Sequence, residues 1–245
     1  MSESSTTELQ VGPGQVIQIK NFVAKEKCSQ WLEQVILNPQ CWENRFDYIN
    51  SYGSCWYLDI EAGMLSYYYA NAVRTNELLK GLPNFVETLA SSAKYLQAPD
   101  GKTGLPTRPR HENLGPYWVE AGVVIMNRGT AGVEHADYEG LAPYPEKLFD
   151  SETRAYSAVL CLAAADSGGN LRIWKQRVLG NEEPALAAET EEEVFYEPGA
   201  LVLFDSFCYH QITESVLSDD HRYRAIGALH FLYKEQPYPH WEYWF

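Results

Sequence analysis

Two histidines and one aspartate carry the chemistry that this sequence suggests first. In an extended segment, residues i and i+2 point to the same side, so His135-Ala136-Asp137 can offer an imidazole and a carboxylate to one ion. Alone, such a tripeptide is weak information, because six histidines in 245 residues make a chance match common. A second feature adds weight. His210 follows a turn, Glu197-Pro198-Gly199, and the apolar run Ala200-Leu201-Val202-Leu203-Phe204. That order can return an imidazole to the first pair from a neighbouring strand. Two His and one carboxylate leave three coordination positions open, the arrangement suited to non-haem iron(II). A structural zinc site would close all four positions, usually with thiolates.

A cation downstream completes the pattern. His221-Arg222-Tyr223-Arg224 opens the last long strand-like run, and a guanidinium there could fix the far carboxylate of a dicarboxylate chelated to the metal. Arg222 and Arg224 are two apart and share a strand face, so either could serve. His230 has the same parity and could line the cavity, although a lone His on an apolar strand is more commonly a hydrogen-bonded core residue. Asn127 and Arg128 end a strand before Gly129 and could reach a substrate or cap the loop. Tyr138 and Glu139 directly follow the first ligand pair and are candidates for the entrance.

The elements needed to position these groups fall into two textures. Residues 1–13 are small and polar and are expected to be disordered. In residues 25–37, Cys28, Trp31, Leu32, Val35 and Ile36 recur at helical spacing. A second helix is expected within 63–79. A third starts at Pro83, with Phe85, Leu89, Ser92 or Ala93, and Leu96 on one face. Residues 98–116 read as a loop. Beyond 117, short β-rich runs at 118–126, 155–162, 171–174, 201–204 and 223–233 alternate with Gly, Pro and Asp signals. Helices first and strands later predict one domain over 14–245. A helical support would occupy about 14–116 and an antiparallel β core about 117–234. The acidic stretch 189–193 reads as a solvated face.

Composition narrows the function classes. A net charge of −14, from 19 Lys+Arg against 33 Asp+Glu, disfavours nucleic acid and anionic membrane as partners. No apolar run approaches a membrane span, and the first residues lack the basic start and apolar core of a secretory signal. The expected location is cytoplasmic. Five cysteines without a CxxC pair point to reduced thiols.

Taken in order, His135-x-Asp137, Gly168-Gly169-Asn170-Leu171, Pro198-Gly199-Ala200-Leu201-Val202-Leu203-Phe204, His210 and Arg222-Tyr223 resemble the 2-oxoglutarate/iron(II)-dependent dioxygenase superfamily. The likeness spans about 118–233 and is nearest to its prolyl-hydroxylase-like branch. It implies a mainly β fold with flanking helices around a double-stranded β-helix (jelly-roll, cupin-like) core. His135, Asp137 and His210 would be the iron(II) ligands. Arg222 would be the anchor of the 2-oxoglutarate C5 carboxylate, preferred to Arg224 because an aromatic residue follows it. Many relatives place a Tyr on the strand after the ligand pair to touch the same carboxylate. Ungapped alignment puts Cys161 there, with Tyr156 earlier on the strand. Because Asp137 is present, the resemblance implies hydroxylation or a related oxidation rather than halogenation, using O2 and releasing succinate and CO2. The expected substrate is a small molecule, an amino acid or a natural-product intermediate. The alternatives are a protein side-chain (prolyl-type) hydroxylase and, in another class, a non-catalytic cupin-like metal-binding sensor. The terminal aromatics Trp241, Tyr243, Trp244 and Phe245 could cover the barrel or form a homodimer contact.

Overall fold

The computed structural model describes the chain apart from residues 1–8, 47–48, 62, 111–117, 128, 130, 138–146, 148–149, 181–183, 185 and 219–222. Strand β1 (Val16–Ile19) leads into helix α1 (Lys25–Ile36), the hairpin β2 (Trp42–Phe46) and β3 (Ile49–Tyr52), and helices α2 (Trp56–Glu61), α3 (Leu65–Leu79) and α4 (Phe85–Ala90). Then come β4 (Thr107–Pro109), β5 (Gly122–Met126), β6 (Ala155–Ala163), β7 (Ser167–Gly168), β8 (Leu171–Arg177) and β9 (Glu191–Val194). The chain continues through β10 (Leu201–Asp205), β11 (Cys208–Ile212), β12 (Ser215–Val216), β13 (Arg224–Lys234) and β14 (His240–Trp244).

Nine strands form the major sheet, in the order β1-β10-β6-β13-β5-β3-β2, with β14 paired to the far half of β13 and β4 to β14. The minor sheet is β11-β8-β9, with the β12-β7 pair beside it. The architecture is a mostly antiparallel jelly-roll, as expected. Strands β6 and β13 are its centre, and both are buried almost throughout. The reason is that helices cover one face and the minor sheet the other, so these strands read as continuous apolar runs rather than alternating ones.

The helices behave as their patterns require. Helix α1 buries Cys28, Trp31, Leu32 and Val35, while Ile36 at the end of the same stripe stays exposed. Burial of each large apolar side chain contributes about 1.5–3 kcal/mol, enough to dock a helix that carries no side-chain N-cap. Helix α4 places Phe85 and Leu89 over β13 at Gly227, where an added Cβ would lie 2.7 Å from the Phe85 ring. A glycine is therefore needed for the helix to sit this close.

Three expectations change. Val11 is fully buried and exchanges backbone hydrogen bonds with the Tyr95 carbonyl and the Gln97 N–H, so the chain is ordered at residue 11, while residues 1–8 of the expected disordered tail lie outside the described residues. The support region contains the β2-β3 hairpin, which extends the major sheet. The terminal aromatics are strand β14 itself, with Trp241, Trp244 and Phe245 buried. All five cysteines are buried thiols outside any disulfide. The acidic stretch forms β9, whose glutamates face solvent and pair with Arg172 and Lys175. Among the described residues, no helix is long and apolar enough to cross a membrane.

Candidate metal centre

His210 lies on β11, opposite Ile173 of β8. On its other side β11 binds the segment that carries His135. His135 and His210 exchange backbone N–H···O bonds of 3.0 and 2.8 Å, and Gly132 donates to the Ile212 carbonyl at 2.8 Å. Asp137 donates its N–H to the carbonyl of Ser206, in the turn between β10 and β11, at 2.9 Å. The three side chains therefore converge from one antiparallel pairing and one turn.

Their ligating atoms lie within 4.8 Å of one another. Asp137 Oδ1 is 3.3 Å from His135 Nε2 and 3.5 Å from His210 Nε2. Both rings are held in one tautomer. His135 Nδ1 donates to the Val133 carbonyl at 2.8 Å and His210 Nδ1 to the Cys208 carbonyl at 3.1 Å. Because a carbonyl can only accept, each Nδ1 carries a proton, and Nε2 is the nitrogen of each ring that faces the carboxylate and could ligate a metal. Phe204 packs its ring 4.8 Å from that of His210, which fixes the imidazole from the β10 side. His210 is 5% exposed and His135 40%, so the centre opens on the His135 side. Burial opposes the ionised form of Asp137. The imidazoles of His210, His135 and His230 overcome it, and its carboxyl is held well below the ordinary value. This donor set, two neutral imidazoles and one carboxylate without thiolate, fits a divalent ion of the iron(II) type with positions to spare.

The face of the major sheet that looks onto this centre carries the rest of the site. Along β13, Arg224, Ile226, Ala228 and His230 share one side, opposite Met126, Val124, Val159 and Ser157 in the register of β5 and β6. Arg224 is 1% exposed. Its Nη1 meets the Met126 sulfur at 3.4 Å, and its guanidinium sits 4.7 Å over the Tyr196 ring. Nε and Nη2 of Arg224 and the Tyr196 hydroxyl are buried without a well-formed hydrogen bond among the described residues, though the guanidinium lies near enough to the hydroxyl to favour its ionised form. Burial raises the Tyr196 hydroxyl; Arg224 pulls it down, and Cys161 and Asp137 act against ionisation. The double glycine explains how the guanidinium fits. Gly169 has φ of 65°, and an added Cβ would lie 3.0 Å from Arg224 Cδ and 3.1 Å from Ser215 Cβ.

Among the other sequence-derived candidates, Cys161 is on the inner face in register with Ile226, and burial pushes its thiol up to about 12 against the pull of Arg224. Tyr156 is corrected. Five residues from Cys161, it emerges on the opposite face, packs against Trp241 and donates its hydroxyl to the Gln97 carbonyl. His230 lies at the centre, its Nδ1 4.0 Å from Asp137 Oδ2. Asn127 is exposed just past β5. Arg222, Arg128, Tyr138 and Glu139 lie outside the described residues. Tyr196 was not foreseen. It follows the acidic strand and precedes the Pro-Gly turn, with no motif of its own.

No family model matches the sequence, and no curated protein is similar to it. Solved structures are similar in shape. One is an N-substituted L-amino acid dioxygenase from Burkholderia ambifaria AMMD, 14% identical over 94% of this chain and 86% of that one, with a TM-score of 0.58. The same enzyme in complex with alpha-KG gives 13% identity, the same coverage and 0.57. The non-heme alpha ketoglutarate dependent epimerase SnoN from nogalamycin biosynthesis gives 10% identity over 89% of this chain and 80% of that one, with 0.51. This chain has their fold. At such identities the likeness stops there, and the chemistry must be argued from the residues above.

Proposed function

We propose that this chain is an iron(II)- and 2-oxoglutarate-dependent dioxygenase that oxidises a C–H bond of a small molecule. The observation that carries this reading is the pairing of an open His-Asp-His centre with a buried cation whose Nε and Nη2 make no well-formed hydrogen bond among the described residues. A buried donor without an acceptor costs about 1–3 kcal/mol, more when charged, and is retained where a ligand supplies the acceptor. A plain metal-binding module has no use for such a group, which argues against the non-catalytic alternative.

In this reading His135, Asp137 and His210 hold iron(II), and the His135–His210 pairing together with the tie from Asp137 to the β10–β11 turn fixes the three donors relative to one another. Bound there with 2-oxoglutarate and O2, the metal supplies the oxidising chemistry, and succinate and CO2 are released. Arg224 grips the far carboxylate of the cosubstrate through Nε and Nη2, and the Tyr196 hydroxyl donates to the same group. Arg224 takes the role for which the sequence favoured Arg222. The Val124, Val159 and Ile226 side chains between the two ends form an apolar wall that excludes water. A small-molecule substrate is supported by the similar dioxygenase, whose own substrates are N-substituted L-amino acids.

The test is anaerobic loading with iron(II), then addition of 2-oxoglutarate and air, with succinate measured against panels of N-substituted amino acids and of proteins. Succinate release that depends on an amino-acid derivative is expected. Absence of iron binding, or Asp137→Ala turning over 2-oxoglutarate at the parent rate, removes the assignment.

A further inference from the structure

We propose that His230 is a positioning residue, part of a buried brace that holds the Asp137 carboxylate to the metal through Oδ1 alone. The inference rests on the functional reading above and adds a residue to it. His135 and His210 both meet Oδ1, whereas His230 meets the other oxygen, with Nδ1 4.0 Å from Oδ2. At that distance the contact is one of ion and dipole, felt strongly because His230 and its partners are buried.

The brace closes on itself. His230 Nδ1 is 3.1 Å from Ser157 Oγ, and Ser157 Oγ is 2.9 Å from Ser206 Oγ. The carbonyl of that same Ser206 accepts the Asp137 N–H at 2.9 Å, and Ser206 donates its own N–H to the Ala155 carbonyl at 3.0 Å. The aspartate is thus tied at its backbone and faced at its free oxygen by one connected set of groups. Ser157 and Ser206 are fully buried, so water does not substitute for either.

The ring of His230 cannot swing away. It lies parallel to Phe245, with an interplanar angle of 5° and centroids 6.2 Å apart, and 5.9 Å from Trp244 on the paired strand. Phe245 in turn occupies the space over Gly122, where an added Cβ would fall 1.7 Å from its ring. A core histidine that merely filled space would be satisfied by the Ser157 hydroxyl alone and would need no place beside the Asp137 carboxylate. A carboxylate can bind a metal through one oxygen or two. A polar group set against Oδ2 disfavours the second mode and keeps a coordination position open for reactants.

The test uses the full chain and Co(II) as the probe, under argon, with and without 2-oxoglutarate. Affinity and the visible d–d spectrum are read for the parent and for His230→Leu, His230→Asn and Ser157→Ala. Groups behind metal ligands typically matter by about 10- to 100-fold in affinity. His230→Leu is therefore expected to bind at least tenfold more weakly, with an altered spectrum. His230→Asn, whose amide can stand near the place of Nδ1, should recover most of both, and Ser157→Ala should fall between. Unchanged affinity and spectrum in His230→Leu and Ser157→Ala overturn the proposal. If His230→Leu loses its cooperative melting transition, unchanged binding by Ser157→Ala alone overturns it. Failure of the parent to bind Co(II), or a spectrum indifferent to 2-oxoglutarate, instead sinks the functional reading, and the brace falls with it.

Discussion

Replacing Arg224 with Met separates a ligand anchor from a structural arginine, because the two roles predict opposite changes. Without cosubstrate, Nε and Nη2 of Arg224 are buried without a well-formed hydrogen bond among the described residues. Removing them relieves a penalty of about 1–3 kcal/mol. The stacking of the guanidinium on Tyr196, at 4.7 Å, is lost in exchange and is worth about 0.5–2 kcal/mol. The net change in the ligand-free protein then runs from a loss of about 1 to a gain of about 2.5 kcal/mol. For a domain of this size that corresponds to a melting temperature between about 2–4 °C below and about 5–10 °C above the parent.

Cosubstrate binding should move the other way. Truncating one partner of a buried, hydrogen-bonded charge pair costs about 2–5 kcal/mol; taking about 3, the affinity for 2-oxoglutarate falls roughly 100-fold. A melting assay with a redox-inert divalent metal reads both effects together. At a 2-oxoglutarate concentration of about 100 times the parent Kd, the parent gains about 2.7 kcal/mol, while the variant at the same concentration gains only about 0.4 kcal/mol. A ligand-free Arg224→Met that melts well below the parent shows a structural arginine. A Kd within threefold of the parent shows that the carboxylate is held elsewhere. Either result refutes the reasoning.

Tyr196→Phe deletes a buried hydroxyl without a well-formed hydrogen bond, so the ligand-free protein should melt no lower than the parent. Its 2-oxoglutarate affinity, read by the same assay, should drop about 5- to 15-fold, the worth of one hydrogen bond of about 1–1.5 kcal/mol. Arg177→Met tests the clamp behind the site. Arg177 Nε lies 2.8 Å from Asp205 Oδ2, its Nη groups donate to the Ser151 and Thr153 carbonyls, and Asp205 accepts from the Gly14 and Phe207 N–H groups. Leaving the carboxylate unpaired should cost about 3–5 kcal/mol in urea unfolding at pH 8. Burial already raises the Asp205 carboxyl above its ordinary value, with Arg177 pulling it down, and losing Arg177 raises it further. A raised folded-state value means that the folded protein holds this proton more tightly than the unfolded chain. The deficit should therefore shrink as pH falls toward the ordinary value of 3.8 and grow as pH rises. A deficit that is flat between pH 5 and 8, or absent, contradicts this account.

The proposed metal ligands were legible because each is local: a two-residue spacing, and a histidine shortly after an apolar strand. The proposed choice of arginine was not, since Arg222 and Arg224 share strand parity; Arg222 lies outside the described residues, and the case for Arg224 rests on its burial against Gly169 and Tyr196. Parity could have done more for β6. Tyr156 and Cys161 are five apart and must lie on opposite faces of a strand, so one of them had to be excluded from the site. Tyr196 was invisible because its role depends on a turn that brings it under another strand. The hairpin Ile49–Tyr52 with Trp42–Phe46 was missed for a different reason. Its residues mix polar and apolar types without alternation, because its place at the sheet edge relaxes the burial pattern.

The division of labour between the sheets follows from this topology. The minor sheet and its bridged segment carry the His-Asp-His group, whereas the cation and His230 stand on β13 of the major sheet. Under the proposed function neither sheet could bind a metal-chelating dicarboxylate alone, so the separation between them would set what spans the gap. Two connections fix that separation. One is the β10–β11 turn, where Asp205 is held by Arg177 and the Ser206 carbonyl holds Asp137. The other is the Gly168-Gly169 turn, where an added Cβ on Gly168 would lie 2.0 Å from the Glu214 carbonyl oxygen and Gly169 makes room for Arg224. The glycine pair and the Pro-Gly strand that read as family motifs are thus the two places where the sheets are set against each other. Their substitution should disturb the distance from metal to anchor before it disturbs either end.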